Sequence, residues 1–202
     1  MQIIYGICVY ICASLVAVRG SPTTCAVTVS TTEGPYYKPN APMHTTNASV
    51  CDWEKYKNPI QLLVRGRVIE SDCKTGIAAV LDVWSANPSG DYSPKEGPSF
   101  ECRGKLVTDA NGNYEFLTVV PGRYLQGGSL RPAHIHYKIN RANDSKILTT
   151  QQYFAEDPHF KTDPCGAECF TGNPTLTVPF LPLEGAKAQS MLIKFDIVLS
   201  KS

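Results

Sequence analysis

Two histidines two positions apart are the clearest chemical feature of this sequence. His134 and His136 lie in segment 131–137 (RPAHIHY), whose composition predicts a strand. Successive side chains of a strand point to opposite faces, so both imidazoles leave the same face with Cα atoms about 7 Å apart. Both rings can therefore reach one metal ion. The spacing alone leaves a second interpretation open, in which the pair is a solvated strand surface.

The partners that a metal would need beside these histidines are unusual ones. No obvious carboxylate or thiolate accompanies the pair, which disfavours the common zinc sets and the iron site of two histidines and one carboxylate. Tyr92 and Tyr124 each lie just beyond a predicted strand, where a loop could turn the phenol inward. A phenol with a pKa near 10 ionises only against a strong Lewis acid, so two histidines and two tyrosines would suit Fe(III). The alternative is that both tyrosines only pack in loops.

Short strands are the elements that must position these residues. Helical periodicity is nearly absent after residue 60, whereas seven β-branched and aromatic runs recur, at 61–70, 80–84, 105–108, 114–120, 134–139, 147–154 and 192–199. Their spacing predicts an all-β fold, an antiparallel β-sandwich or barrel. Residues 109–112 (DANG) supply the turn of a hairpin. The first fifty residues and the proline-rich region 158–182 are expected to form long ordered loops that carry the site.

Composition limits the classes of protein to which the chain can belong. The 202 residues are 43% hydrophobic and 18% charged, which favours one globular domain. Nineteen Lys and Arg face eighteen Asp and Glu, and the basic residues are scattered along the chain. No footprint for nucleic acid or anionic lipid is visible, so neither is expected as a partner.

The first twenty residues have the pattern of a secretory signal peptide. Only Arg19 is charged there, and a sixteen-residue apolar stretch at 3–18 is followed by small residues. The stretch is short for a membrane span, although the absence of an early Lys or Arg leaves an uncleaved anchor as the alternative. We predict a signal peptide at 1–20 and a secreted domain at 21–202. Sequons at Asn47 and Asn143 agree with a secreted glycoprotein, but short sequons also occur by chance.

The cysteines support the same compartment. Cys8 and Cys12 leave with the signal peptide, and six remain: Cys25, Cys51, Cys73, Cys102, Cys165 and Cys169. An even set in an oxidising compartment predicts up to three disulfides, with fifteen possible pairings. In a reducing compartment Cys165, Cys169 and nearby His159 would instead be a metal candidate.

Six segments, in order and spacing, resemble those of the intradiol ring-cleavage dioxygenases, the family of catechol 1,2-dioxygenase and protocatechuate 3,4-dioxygenase. The segments are 32–37 (TEGPYY), 81–87 (LDVWSAN) with Gly90 and Tyr92, 103–104 (RG) leading to 108–109 (TD), 121–124 (PGRY), 131–136 (RPAHIH) and 148–154 (LTTQQYF). They cover about residues 25 to 160. The resemblance implies a β-sandwich that carries non-haem Fe(III).

The resemblance also assigns roles to single residues. It implies that the iron ligands, beside a hydroxide, are Tyr92, Tyr124, His134 and His136. Arg131 matches the family's arginine beside the substrate, and Gln151 matches its pocket glutamine. Gly34 and Tyr36 belong to the segment that lines the pocket.

The implied reaction is cleavage of a catechol by O2 between its two hydroxyl-bearing carbons, giving a cis,cis-muconate. Tyr124 and the hydroxide would leave the iron and accept the two catechol protons, while Tyr92 stays bound. Arg131 would stabilise the negative charge that develops. For a secreted enzyme we expect exogenous plant or dietary phenolics as substrates and detoxification as the purpose.

Some departures from the family pattern concern the pocket rim and assembly. Leu130 stands where a tryptophan often precedes the RPAH motif, and no helical N-terminal dimerisation segment is visible. We therefore expect a monomer with an open site. The competing hypothesis is a secreted β-sandwich that binds metal or phenols without turnover.

Overall fold

The computed structural model describes residues 25–44, 49–141, 145–183, 185 and 189–201. The predicted signal peptide and the sequon residues Asn47 and Asn143 lie outside this part of the chain. Within it there are three short 3-10 helices, at Trp53–Lys55, Phe160–Thr162 and Gly166–Cys169, and none of the described helices is long and apolar enough to cross a membrane. The described strands are β1 (Gln61–Glu70), β2 (Ala79–Ser85), β3 (Arg103–Val107), β4 (Asn113–Val119), β5 (Tyr124–Gln126), β6 (Ser129–Arg131), β7 (His134–Arg141), β8 (Lys146–Phe154), β9 (Thr177–Val178), β10 (Leu181–Pro182), β11 (Ser190–Lys194) and β12 (Ile197–Leu199).

Two five-stranded sheets form a β-sandwich. One sheet has the order β10-β11-β1-β12 with β4 also paired to β1, and the other has the order β3-β2-β7-β8-β9. A single hydrophobic core contains side chains of both sheets, including Val64 and Phe116 from the first and Leu81 and Ile135 from the second. The prediction of an all-β sandwich is therefore confirmed.

The antiparallel part of that prediction is only partly right. Strands β11 and β12 both run parallel to β1, and β9 runs parallel to β8. The predicted run 192–199 is also two strands rather than one, because the ladder to β1 is interrupted at Asp196. There the Arg67 amide donates to the Asp196 carboxylate at 2.9 Å instead of to a backbone carbonyl.

The predicted hairpin at 109–112 is a turn that connects the two sheets. Gly112 has φ +79°, and its amide donates to the Asp109 carbonyl at 3.0 Å, so the turn chemistry is as predicted. However, β3 pairs with β2 and β4 pairs with β1. The strands on either side of the turn belong to different sheets and do not pair with each other, so the prediction of a hairpin is wrong.

Strand β7 presents the two histidines on the face away from the core. Ile135, Tyr137 and Ile139 point into the core, so the alternation of the strand places His134 and His136 on the opposite face. That face is covered by loops, and both histidines are buried.

The covering loops are long and are tied down by disulfides. Residues 25–44 contain no helix or strand in the described structure, yet Thr31 donates to the Thr149 carbonyl of β8 at 2.9 Å. The six predicted cysteines pair as Cys25–Cys73, Cys51–Cys102 and Cys165–Cys169. Cys165 and Cys169 are thus bonded to each other, which contradicts the alternative of a metal site at these cysteines.

Candidate active site

The four predicted metal ligands converge at one point outside β7. The Nε2 atoms of His134 and His136 are 3.1 Å apart, and the Tyr92 hydroxyl lies 3.4 Å from His134 Nε2. The Tyr92 and Tyr124 rings meet edge to face with centroids 5.5 Å apart, and the Tyr124 ring lies 5.8 Å from that of His134. Sequence positions up to 44 apart are thereby brought into a single cluster.

Backbone contacts and ring stacking orient the two imidazoles. His134 Nδ1 is 2.7 Å from the Pro132 carbonyl and donates to it, so the lone pair of Nε2 points into the cluster. The His136 ring is stacked on Trp84 with centroids 4.7 Å apart, while its Nδ1 has no hydrogen-bond partner in the described structure. Gly34 lies against the edge of this ring, where an added Cβ would be 3.6 Å from His136 Cε1.

Two glycines press the loop of Tyr92 against the loop of Tyr124. Gly90 has φ +91°, and a Cβ there would lie 2.2 Å from the Arg123 carbonyl oxygen. Gly122 faces the same contact from the other side, since its Cβ would lie 2.4 Å from the Gly90 nitrogen. Only residues without a side chain allow this approach, which explains the glycines of both segments.

Arg103 fastens the pocket-lining segment to the Tyr92 loop. This buried guanidinium donates to the Tyr36 carbonyl at 2.6 Å, to Ser93 Oγ at 2.7 Å and to the Ser93 carbonyl at 3.0 Å. Tyr36 then stacks on Tyr92 with centroids 4.3 Å apart and planes within 6°. The predicted pocket residues Gly34 and Tyr36 are therefore both at the site.

Arg131 and Gln151, the predicted substrate-binding residues, also lie beside the cluster. Arg131 Nη1 is 3.2 Å from the Tyr124 hydroxyl and 3.4 Å from His134 Nε2. Its Nη2 donates to Gln151 Oε1 at 3.1 Å and to the Tyr153 hydroxyl at 3.2 Å. The guanidinium thus extends from one predicted ligand to the wall of the pocket.

Four residues at the site have no functional role that the sequence patterns predict. Trp84 and Arg103 lie within the resembling segments, and Tyr153 lies within the segment of Gln151, so position in a motif was the signal that could have found them. Asp163, which pairs with Arg131 at 3.0 Å, follows the last of those segments and carried no such signal.

Burial keeps all four candidate ligands neutral in the absence of a cation. Burial of the hydroxyls raises the pKa of Tyr92 and of Tyr124, although Arg131 partly offsets the effect at Tyr124. Burial and the nearby Arg131 lower the pKa of His134 to about 3, and burial beside His134 lowers that of His136 well below its ordinary value. The histidines therefore keep free lone pairs, and the phenols need a strong Lewis acid to ionise.

The donor set fits a trivalent metal ion. Donors bound side by side at bond lengths of about 2 Å lie about 3 Å apart, which agrees with the 3.1 Å between the two Nε2 atoms. In the part of the chain that the structure describes, no group of three or more His, Cys, Asp or Glu could hold a metal ion. The Tyr92 hydroxyl, 3.4 Å from His134 Nε2, and Tyr124, whose ring meets that of Tyr92, are the oxygen donors at the cluster, and phenolates favour a hard ion such as Fe(III).

Comparison with known proteins gives consistent matches. Residues 32–201 match the family Dioxygenase_C, described as "Dioxygenase". The chain is 38% identical over 153 residues to catechol 1,2-dioxygenase 2 of Acinetobacter lwoffii, an alignment that covers 67% of this chain and 54% of that protein. It is 36% identical over 124 residues to the protocatechuate 3,4-dioxygenase beta chain of Burkholderia cepacia, covering 56% and 51%.

The fold has a close counterpart among solved structures. The dioxygenase domain of a dioxygenase and carbohydrate-binding protein fusion from Streptomyces sp. SirexAA-E superimposes with a TM-score of 0.68 at 30% identity. The match covers 88% of this chain and 100% of that one. By contrast, this chain spans about half the length of the curated relatives described above.

Proposed function

We propose that this chain, which belongs to the intradiol ring-cleavage dioxygenase family, is a non-haem Fe(III) dioxygenase. The reaction is cleavage of a catechol by O2 between the two hydroxyl-bearing carbons, giving a cis,cis-muconate-type product. The observation that carries the proposal is the convergence of two histidines and two tyrosines in one cluster, with the Nε2 atoms of His134 and His136 3.1 Å apart and Arg131 beside them.

The residues that would hold the iron are Tyr92, Tyr124, His134 and His136. When bound, Fe(III) supplies a Lewis acid that stabilises the phenolates of protein and substrate and draws electron density from the catechol ring. The protein's own part is to present four neutral donors, of which Tyr124, His134 and His136 are buried and Tyr92 is half-buried. The lowered pKa of both histidines keeps them neutral and able to bind a metal ion, because an imidazolium cannot bind a cation.

The contacts of the two tyrosines support different roles for them. Tyr92 is held between its glycine-packed loop and the ring of Tyr36, 4.3 Å away, which suits a permanent ligand. Tyr124 begins the short hairpin β5-β6, and its hydroxyl accepts a hydrogen bond from Arg131 at 3.2 Å. We assign Tyr124 the role of the ligand that would give way to substrate and take up a catechol proton as a general base.

Arg131 and Gln151 form the polar wall of the site. The buried Arg131 guanidinium stabilises negative charge that develops on the substrate, an effect that is strong where water is excluded. Gln151 accepts from Arg131 through its amide oxygen and donates to the Thr32 carbonyl at 3.1 Å through its amide nitrogen. It thereby joins the wall to the N-terminal segment that lines the pocket.

The charges around the site favour neutral catechols. Three described arginines flank it, and each already has acceptors: Arg103 binds carbonyls, Arg131 pairs with Asp163, and Arg123 pairs with Asp157 at 2.9 Å. A substrate carboxylate would compete with these acceptors. We therefore expect catechol and neutral substituted catechols to be cleaved at least as well as carboxylated ones.

Our proposal also includes the compartment and the biological role. The protein is a secreted monomeric glycoprotein that detoxifies exogenous plant or dietary phenolics. Three disulfides in the described structure support an oxidising compartment. The N-terminal twenty residues and the sequons support secretion from sequence alone.

Oxygen uptake across a panel of phenols tests the activity. The iron-loaded protein should be red-brown from phenolate-to-Fe(III) charge transfer, and it should consume O2 with catechols but not with a 1,3-diphenol or a monophenol. Mass spectrometry should show addition of two oxygen atoms to the product. A yellow semialdehyde would contradict intradiol cleavage, and catechol binding without oxygen uptake would favour the carrier hypothesis.

A further inference from the structure

Arg131 has a dedicated, buried counter-ion. Its Nε donates to Asp163 Oδ1 at 3.0 Å and its Nη2 approaches Asp163 Oδ2 at 3.3 Å, so the pair is bidentate. The two side chains are 4% and 2% exposed. With one edge of the guanidinium held in this way, Nη1 on the other edge faces Tyr124 and His134.

Asp163 is itself fixed by its own loop. The Cys165 amide donates to Asp163 Oδ1 at 3.0 Å, and the Thr171 hydroxyl donates to Oδ2. Burial alone would raise the pKa of Asp163, but the hydrogen bonds from Arg131 and Thr171 hold it below its ordinary value. The carboxylate therefore remains charged and keeps a fixed direction toward Arg131.

The loop that carries Asp163 is closed by the Cys165–Cys169 disulfide. From within this loop, the Cys169 carbonyl accepts from the Tyr153 hydroxyl at 3.1 Å, and Cys169 Sγ lies 3.4 Å from Gln151 Nε2. The loop thus contacts all three polar residues of the pocket wall, which are Arg131, Gln151 and Tyr153. It belongs to none of the segments that resemble the dioxygenase family.

We propose that Asp163 is the positioning residue of Arg131 and that the Cys165–Cys169 bridge holds Asp163 in place. A buried guanidinium that loses its carboxylate is unpaired, and it will turn toward other acceptors or toward solvent. Arg131 would then no longer lie where negative charge develops during the reaction. This inference rests on the proposed function, because it assigns Arg131 a task in turnover.

Steady-state kinetics of Asp163→Asn in the full chain test the positioning. Since Arg131 acts on charge that forms during the reaction, kcat and kcat/KM should fall together, by about tenfold to a hundredfold, with little change in KM. In an Arg131→Gln background the same substitution should cost less than twofold. Glu115→Gln, which removes the exposed Arg65 pair on β1 and β4, is the matched control and should keep wild-type kcat. Unchanged kcat in Asp163→Asn would overturn the proposal.

Two further variants keep the test decisive if Asp163→Asn does not fold. Thr171→Val removes one hydrogen bond to the carboxylate and should lower kcat by a smaller factor in the same direction. Removal of the loop bridge in Cys165→Ala with Cys169→Ala should lower kcat more than removal of the remote bridge in Cys25→Ala with Cys73→Ala, in proteins that remain folded by circular dichroism. Wild-type kcat in both tests would contradict the inference.

A double-mutant cycle, measured as melting temperatures of the metal-free protein, separates this inference from the proposed function. Asp163→Asn and Arg131→Gln should lower the melting temperature by less in combination than the sum of their separate effects. Additive shifts would show that the two residues are not coupled, and would refute the positioning role. If no catechol is consumed by the wild type while the cycle is non-additive, the proposed function fails and the pairing stands without its catalytic role.

Discussion

Trp84 stacks its indole on the imidazole of His136, with ring centroids 4.7 Å apart and planes 5° apart. The two residues are directly opposite each other in the antiparallel pair β2-β7, and Tyr37 covers the indole with its centroid 4.9 Å away. Because His136 Nδ1 has no hydrogen-bond partner in the described structure, the orientation of the ring depends on this stacking and on the approach of Nε2 to His134 Nε2 at 3.1 Å.

Trp84→Leu is therefore expected to weaken iron binding by about tenfold while leaving every donor atom in place. The free imidazole would lose the orientation that directs Nε2 toward His134. Iron content after dialysis against a chelator series measures the effect. Phe116→Leu, an aromatic-to-leucine change in the core, is the control for general loss of packing. Full iron retention in Trp84→Leu would show that stacking does not orient the ligand.

Tyr124→Phe and the histidine variants should behave differently. The proposed roles make Tyr124 an exchangeable ligand and the two imidazoles permanent ones, so Tyr124→Phe should keep some iron but turn over slowly. His134→Ala or His136→Ala should empty the site. Metal analysis together with oxygen uptake distinguishes the two cases. Full activity in Tyr124→Phe would remove its assignment as a base.

The cysteines of the secreted protein should be fully paired. Mass spectrometry of the non-reduced protein is expected to show no alkylatable thiol and to recover linked peptides for Cys25–Cys73, Cys51–Cys102 and Cys165–Cys169. Each native bridge in such a domain contributes about 2–4 kcal/mol, so reduction should lower the melting temperature by several degrees. Six free thiols would refute disulfides linked to secretion.

Asp82 and Asp109 should affect stability with opposite signs. Burial raises the pKa of Asp82, although Tyr37 donates to it at 3.0 Å, whereas hydrogen bonds from the Asn113 side chain and amide lower that of Asp109. Because the folded-state pKa of Asp82 is raised, Asp82 adds stability only at low pH, and that stability is lost as the pH rises through its folded-state pKa. Because the folded-state pKa of Asp109 is lowered, Asp109 adds stability at pH values above the unfolded value of 3.8.

At pH 7 the Asp82→Asn variant should accordingly melt a few degrees higher than the wild type, and Asp109→Asn should melt lower. The Asp82 difference should shrink as the pH falls from the raised folded-state pKa to 3.8, and the Asp109 difference should shrink as the pH falls below 3.8. Thermal unfolding of the metal-free protein at pH 7 and pH 3.5 makes the comparison. Shifts of the same sign, or shifts that do not depend on pH, would contradict the assignment.

The ligand pair and the all-β class could be predicted from sequence because both depend on local geometry. The period of two along a strand is sufficient to place His134 and His136 on one face, whatever the rest of the fold does. Tyr92 and Tyr124 are candidates from their positions just beyond predicted strands, and the order and spacing of whole motifs imply their roles as ligands. The structure brings both to the histidines.

The contacts that hold the site depend on how separate loops meet over the sheet. Arg103 reaches a carbonyl 67 positions away, and Asp163 pairs with an arginine 32 positions away. The choice among fifteen cysteine pairings and the parallel direction of β11 and β12 are likewise long-range. No local pattern encodes such contacts, since they arise only when the two sheets pack and bring distant loops to the same face.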